Sequence, residues 1–156
     1  MTRRTILTAA ALAAALLVGA TTAATPARAD EGATKEAAVK ALKDLAAALE
    51  AQDFDKALTI LLGPPGVPPE KLKEGAGKLI ERKEISSKGV DILADKGKWG
   101  SGEEVFGADK LKRYATALKV ENSVFYGLKH DNAEALFLWE KDHFRVVDLD
   151  NIGKLE

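Results

Sequence analysis

The chain contains no cysteine among its 156 residues. Without thiols it cannot form disulfides, thiolate metal sites or a cysteine nucleophile, so its stability must come from packing. Histidine is scarce as well: His130 and His143 are the only two, and each falls in a predicted turn. Consecutive turns of a meander lie at opposite ends of the sheet, so strands of about seven residues would separate these side chains by roughly 20 Å. We therefore expect no metal site and no cofactor.

An excess of positive charge is also missing. Three of the 23 basic residues and none of the 24 acidic residues precede residue 30, so residues 30–156 carry a net charge of −4. A nucleic-acid-binding protein needs a concentrated positive field, and an electrostatic membrane anchor needs a basic cluster. We expect no nucleic-acid partner and no such anchor.

Motifs for covalent catalysis and phosphate binding are lacking too. Ser101 has neighbouring glycines but not the G-x-S-x-G spacing of a nucleophile elbow. The predicted loop KGKWGSG can present backbone amides to a phosphate, yet it matches neither the P-loop nor the dinucleotide-binding pattern. Its strongest binding feature is Trp99, which could stack on a sugar or anchor a partner. The ordinary alternative is an indole that folds back onto the domain.

What the sequence does contain begins with the pattern of an export signal. A basic start at Arg3 and Arg4 precedes an apolar stretch, Ile6–Ala20, and an A-x-A cleavage pattern at residues 27–29. We expect cleavage after that pattern, which removes residues 1–29 and leaves a single domain. The alternative, an uncleaved anchor, is disfavoured because the apolar stretch is interrupted before it reaches the ~20 residues of a span. The expected location is periplasmic or extracellular, with no stable membrane span after cleavage.

The export route stays open. TRRTILT resembles a twin-arginine signal, with an apolar pair following the arginine pair. It departs from that pattern at Thr8, where lysine is frequent. Both the twin-arginine route and the general secretory route therefore remain possible.

Residues 30–156 open with helical periodicity. KEAAVKALKDLAAALEA predicts one helix, and DFDKALTILL predicts a second, antiparallel helix that begins at Asp53 as N-cap and extends through Leu62. The proline-rich run GPPGVPPE predicts a stiff elbow, after which Pro69 opens another helix. The apolar stripe of the first helix consists of Ala38, Leu42, Leu45 and Leu49.

The second half of the chain changes from a helical period to a period of two. Residues 84–95 fit either a helix or a strand, and we favour a helix, whereas ADKLKRYATAL is plainly helical with a solvated basic face. NSVFYGLK, AEALFLW and FRVVDLD then alternate as three strands with short connections. The predicted fold class is α+β, with N-terminal helices packed on a C-terminal three-stranded antiparallel meander.

Two segments resemble a known family. AAALEAQDFDKALTILLGP is similar to the opening of nuclear transport factor 2-like domains, and AEALFLWEKDHFRVVDLD is similar to their closing hairpin. The resemblance spans residues 35–62 and 121–150, whereas residues 83–119 depart from the pattern. It implies a curled sheet wrapped over helices into a cystatin-like cone with a pocket, in a family that includes isomerases, dehydratases and many non-catalytic binders. No catalytic set can be carried over. DFDKAL also resembles a tetratricopeptide hairpin, although no second copy is present.

The hairpin WEKDHFRVVDLD holds the candidate site. If Lys141-Asp142 forms the turn, regular pairing places Ala135 opposite Asp148 and puts this acid on the aromatic face. There it could line a pocket and transfer protons, with Tyr126 as its hydrogen-bonding companion. The alternative is a solvated carboxylate near the end of the strand. Arg145, on the other face, is expected to reach water along its stem.

These patterns support one leading hypothesis and two alternatives. The leading hypothesis is an exported, non-catalytic domain that binds a small molecule or a protein partner. The first alternative is a pocket enzyme of the isomerase or dehydratase kind, with Asp148 and Tyr126 as candidate catalytic residues. The second is a helical scaffold. The candidate ligand-binding residues are Trp99, Tyr126, Phe137, Trp139 and Asp148.

Overall fold

Helices come first in the chain and a sheet closes it. The computed structural model describes residues 32–156, so the predicted signal peptide lies outside the described residues. The helices are α1 (Lys35–Glu50), α2 (Phe54–Ile60), α3 (Pro69–Glu81), α4 (Ser87–Lys96), α5 (Gly102–Phe106) and α6 (Ala108–Leu118). The strands are β1 (Lys98–Ser101), β2 (Phe125–His130), β3 (Ala133–Glu140) and β4 (His143–Asp150), and short 3-10 turns occupy Asn122–Val124 and Ile152–Lys154. The predicted α+β class is confirmed.

Local sequence signals set most of the helix starts. Asp53 caps α2 as predicted, its carboxylate accepting the Lys56 N–H at 3.1 Å. Pro69 stands at the start of α3, where a missing N–H leaves no intrahelical bond unmade. The segment that fitted either a helix or a strand forms α4. Ser86 is the N-cap of this helix, and its side chain accepts the Gly89 N–H. The predicted apolar stripe of α1 is fully buried at Ala38, Leu42 and Leu45, with Leu49 only 2% exposed.

The second helix is shorter than predicted. It ends at Ile60, and Leu61 is extended rather than helical. Leu61 forms a parallel bridge with Val146, and the Leu62 N–H donates to the Val146 carbonyl at 2.8 Å. The helical spacing of apolar residues in the sequence continues past Ile60. The helix nevertheless ends there, because the backbone groups of Leu61 and Leu62 pair with the edge of β4 and not with α2.

The sheet has four strands in the order β1-β2-β3-β4, and every neighbouring pair is antiparallel. The predicted three-stranded meander is confirmed as β2, β3 and β4, and a fourth strand, β1, pairs with its edge. β1 occupies the segment expected to be a loop, and Trp99 pairs with Leu128. A strand of four residues that includes Gly100 shows too little alternation to be recognised, and its pairing with β2 supplies the missing stabilisation.

Helices cover both faces of the sheet. On the first face, α1, α2 and α4 pack on a large core that includes Leu128, Phe137 and Val146. On the second face, α5 and α6 pack on a smaller core formed by Leu111, Phe125, Leu136 and Leu138. The close approach of α5 requires Gly127, because a Cβ there would lie 2.6 Å from the Phe106 ring. We call these two sides the α1 face and the α6 face.

Candidate functional site

A β-bulge in β4 decides where the candidate acid lies. Phe137 pairs with Val146 as predicted, but Leu136 pairs with Asp148, so the partner strand has one extra residue, Val147. The predicted pairing of Ala135 with Asp148 was therefore wrong, because the extra residue changes which face each later residue occupies. Asp148 lies on the α6 face, on the opposite side of the sheet from Phe137, Trp139 and Phe144.

The companion of Asp148 is a tyrosine from α6. The Tyr114 hydroxyl donates to Asp148 Oδ2 across 2.6 Å. Burial and this hydrogen bond to the carboxylate raise the pKa of Tyr114 well above its usual range, so the phenol remains a neutral donor. Tyr126, the companion predicted from the sequence, lies on the α1 face instead. Tyr114 could have been found from its place on the apolar stripe of α6, where a tyrosine brings a polar tip to the sheet.

Asp148 and Tyr114 line an open cleft between α3, α6 and the end of β4. Its volume is about 480 Å³. We call it the charged cleft, because four basic and four acidic side chains line it. The basic residues are Lys78, Arg82, Lys110 and Arg113, and the acidic residues are Glu84, Glu134, Asp148 and Asp150.

Two of the charged residues are paired at the sheet end of the cleft. Glu134, on β3, forms ion pairs with Lys110 and with Lys129, the latter at 3.6 Å. Lys110 also lies 4.6 Å from the centre of the Phe106 ring. The basic face of α6 was predicted to be solvated, but Lys110 instead spans from α6 to the sheet. Its ion pair with Glu134 is mostly removed from water, since the side chains are 26% and 18% exposed.

Two further acids of the cleft form a coupled pair. Glu84 accepts the Asn151 N–H at 2.9 Å, and this bond lowers the pKa of Glu84. Burial and a hydrogen bond with Glu84 raise the pKa of Asp150. Since the pKa values move apart, Asp150 is the member of the pair that takes up a proton first. The pair closes the end of the cleft nearest the C-terminal 3-10 turn.

Two basic side chains in the cleft differ from the others. Lys78 pairs with Glu74 at 2.8 Å and Lys110 pairs with Glu134, but Arg82 and Arg113 form no ion pair with a carboxylate of residues 32–156. Both arginines are exposed. Glu84, Asp148 and Asp150 form no ion pair within the same residues either, so the cleft holds unpaired charge of both signs.

An apolar groove adjoins the charged cleft. Its volume is about 300 Å³, and Arg113 and Tyr114 line both cavities. The remaining lining residues are Leu62, Gly63, Pro64, Pro65, Ala117, Leu118 and Val147. The proline-rich elbow thus forms one wall of a cavity, besides connecting two helices.

The predicted aromatic residues form a separate cluster on the α1 face. The Trp99 and Tyr126 rings stack at 5.5 Å with an interplanar angle of 9°, and Phe137 and Trp139 contact Phe144 edge-on. Phe137 is fully buried and Trp139 is 9% exposed. Trp99 folds back onto the domain from β1. The structure thus separates the candidate ligand-binding set into these four aromatic residues and Asp148.

Arg145 does not extend into water as predicted. Its side chain is 20% exposed and donates to three carbonyl oxygens at the end of α2. The acceptors are Leu58 at 3.3 Å, Ile60 at 3.3 Å and Leu61 at 3.1 Å. A cation at a helix C-terminus satisfies carbonyls that have no intrahelical partner, so Arg145 joins α2 to β4.

The histidines occupy opposite ends of the sheet. His130 pairs with Ala133 at one end of β3, and His143 pairs with Glu140 at the other. Among residues 32–156, no three His, Asp or Glu side chains are grouped so as to hold a metal ion. Within the same residues, no helix has both the length and the apolar character needed to cross a membrane.

No protein-family model matches the chain, and neither a curated protein nor a solved structure shows significant similarity to it.

Proposed function

We propose that the protein is an exported, non-catalytic domain that binds a small molecule in the charged cleft. The observation that carries this proposal is the cleft itself, about 480 Å³ of space with four cationic and four anionic side chains converging on it. Ligand sites in proteins are concave and have volumes of about 300–1,000 Å³, a range that includes this cleft. Export is supported by the sequence of residues 1–29 alone.

A binding role agrees with how the acids are engaged. Asp148 accepts a short hydrogen bond from Tyr114, which has a raised pKa and stays neutral at physiological pH. Glu134 is neutralised by two lysines. Groups held in this way supply a fixed pattern of charge for recognition, because their side chains are already oriented before a ligand arrives.

A pocket enzyme that uses Asp148 is the second candidate. One observation favours it: Asp148 lines the cleft beside a tyrosine, so an acid and a hydroxyl meet at one cavity. We also propose a nuclear transport factor 2-like architecture. The support for that architecture is a helical pair, α1 and α2, in contact with β4 of an antiparallel sheet.

The test is a titration followed by two-dimensional ¹H–¹⁵N NMR. The protein is expressed from its full sequence, and a fragment library of carboxylates, amines and zwitterions is added. We expect shifts to concentrate at the amides of Leu79, Arg113 and Leu149, which line the cleft. Tyr114→Phe should weaken these shifts, whereas Tyr126→Phe, on the α1 face, should not. Shifts concentrated around Trp99, or none at all, would contradict the proposal.

The same samples separate binding from catalysis and report on export. A bound fragment that is chemically altered over time by the wild type but not by Asp148→Asn would favour the enzyme. A fragment that binds and stays unaltered supports the binding role. The intact mass of the purified protein tests the signal, because cleavage before Asp30 removes residues 1–29.

A further inference from the structure

The C-terminal 3-10 turn is held against the connection between α3 and α4 at Glu84. The Ile152 N–H donates to the Glu84 carbonyl at 2.9 Å, and the Asn151 N–H donates to Glu84 Oε2, also at 2.9 Å. The two segments lie so close that a Cβ on Gly153 would come within 2.7 Å of the Lys83 carbonyl oxygen. Glu84 therefore holds the end of the chain with both its backbone and its side chain.

The Glu84 side chain has a second partner, the carboxyl group of Asp150 at the end of β4. Two ionised carboxylates have no proton to share and repel each other, so this hydrogen bond exists only while one of the two groups is protonated. Glu134 lies directly opposite Asp150 in the pairing of β3 with β4, and its charge adds to the repulsion although Lys110 and Lys129 pair with it. A single proton therefore makes and breaks this hydrogen bond.

The surroundings decide which of the two acids keeps the proton. The Asn151 N–H lowers the pKa of Glu84 and favours its ionised form. Burial and the hydrogen bond with Glu84 raise the pKa of Asp150, and the negative charge of Glu134 acts in the same direction. Asp150 is therefore the donor of the hydrogen bond and Glu84 is the acceptor.

Cations lie near the pair without replacing the proton. Lys154, on the turn, and Arg82, at the end of α3, favour the ionised form of Glu84, and Lys154 also favours that of Asp150. Lys154 donates to the Asn151 side chain, and neither cation forms an ion pair with the two acids within residues 32–156. The other titratable side chains around the cavities beside the pair are Lys78, Arg113, Tyr114, Asp131 and Asp148.

We propose that Glu84 and Asp150 form a proton-dependent clamp, which holds the C-terminal turn while the two groups share one proton and loosens it when that proton leaves. Asp150 lines both the charged cleft and an adjoining cavity of about 490 Å³, so its ionisation changes the charge of both spaces. The clamp is a property of the fold and does not depend on the proposed function.

The stabilising effect of the clamp is largest in acidic solution. Because the pKa of Asp150 is raised in the folded protein, its contribution is present below the ordinary aspartate pKa of about 3.9 and is lost as the pH rises through the folded value. Because the pKa of Glu84 is lowered, its contribution is present above the ordinary glutamate pKa of about 4.3 and is lost as the pH falls through the folded value. The turn should therefore be held most firmly between the two folded pKa values and less firmly at neutral pH.

The first test follows the two carboxyl carbons by ¹³C NMR between pH 3 and pH 7, in protein expressed from the full sequence. We expect Asp150 to lose its proton at a higher pH than Glu84, and each resonance to report the titration of the other group. Two carboxyl groups that titrate independently, or an Asp150 that ionises before Glu84, would overturn the proposal.

The second test measures amide hydrogen exchange at Asn151 and Ile152, relative to the intrinsic rate at the same pH. In the wild type this protection should fall roughly two- to fivefold between pH 4.5 and pH 7, the size expected for partly exposed charges. Asp150→Asn and Glu84→Gln preserve a hydrogen bond between the side chains without a shared proton, so neither should show the fall. Asp95→Asn removes the same charge from an exposed position on α4 that forms no ion pair within residues 32–156, and it should behave like the wild type.

Each substitution preserves the shape of the side chain, so all three variants should fold, and circular dichroism checks this. A fall that is absent from the wild type, or that persists in Asp150→Asn or Glu84→Gln, would mean that the pair does not hold the turn and would overturn the proposal. A fall that is also lost in Asp95→Asn would mean a general effect of net charge, which would overturn it as well.

Discussion

The two faces of the sheet are built differently, although the same strands supply both. The α1 face is closed: α1, α2 and α4 cover a large core with a connected cluster of aromatic rings. The α6 face has a core of four buried residues, with the charged cleft and the apolar groove beside it. The α1 face is closely packed, whereas the α6 face leaves space around Tyr114 and Asp148. We infer that the first face mainly stabilises the fold and that the second is the one suited to binding.

The largest expected effect compares one leucine from each face. Leu128 is fully buried on the α1 face and Leu136 is 1% exposed on the α6 face. The substitution Leu→Ala therefore removes the same buried atoms at both positions. Such substitutions cost about 2–5 kcal/mol, depending on how far the surroundings relax. We expect Leu128→Ala near the top of that range and Leu136→Ala near the bottom, because the α6 face has open cavities into which side chains can move. Urea denaturation measures both, and a reversed order would contradict the assignment of stability to the α1 face.

A smaller loss should follow from disconnecting α2 from the sheet. Arg145→Gln removes a cation that donates to the carbonyls of Leu58, Ile60 and Leu61. Hydrogen bonds that involve a charged group contribute about 1.5–3 kcal/mol, so we expect a loss in that range. Arg113→Gln is the control, since an exposed substitution without such contacts changes stability by about 0.5 kcal/mol or less. Similar losses for both variants would mean that the contacts of Arg145 contribute little.

The smallest effect concerns Tyr114 and depends on pH. Tyr114→Phe should cost about 1 kcal/mol at neutral pH, because Asp148 loses its donor in a partly exposed site. The pKa of Tyr114 is raised in the folded protein, so above the ordinary tyrosine pKa of about 10 the unfolded chain loses this proton first. The bond therefore stabilises the fold below that pH, and the contribution is lost as the pH rises further.

Thermal unfolding between neutral pH and pH 11 checks this sign. The stability difference between the wild type and Tyr114→Phe should shrink as the pH rises, while Tyr126→Phe serves as the control for general alkaline effects. A difference that grows with pH would show that the phenol is not held neutral by Asp148. Asp148→Asn should also lower the melting temperature at neutral pH, and a rise would mean that the carboxylate is held at a cost to the fold.

Sequence patterns predicted the elements that repeat and missed those that depend on a partner. The stripe of α1 and the alternation of β2 and β3 repeat over many residues, so each position supports the next. β1 is four residues long and exists through its pairing with β2, which no local pattern reveals. Asp148 was among the candidate residues and does line a cavity, but the pattern did not join Tyr114 and the arginines to it. Tyr114 and the two arginines come together with Asp148 only through the packing of α3 and α6 against the sheet.

One local signal does point to the bulge. Along β4 the buried residues are Phe144, Val146 and Leu149, and the spacing changes from two to three. A regular strand keeps the spacing at two, so the change marks an inserted residue. The same change is visible in the order of the amino acids, and it assigns Asp148 to the α6 face.

The bulge at Val147 shifts the alternation of side chains along β4 by one residue. Residues before the bulge alternate between the two faces of the sheet in one phase, and residues after it alternate in the opposite phase. In an uninterrupted phase the Asp148 carboxylate would point into the aromatic cluster, where an unpaired charge is costly. A homologue that lacks this single residue should therefore be aligned with a gap at position 147, and its acid should be sought at the position that follows the gap.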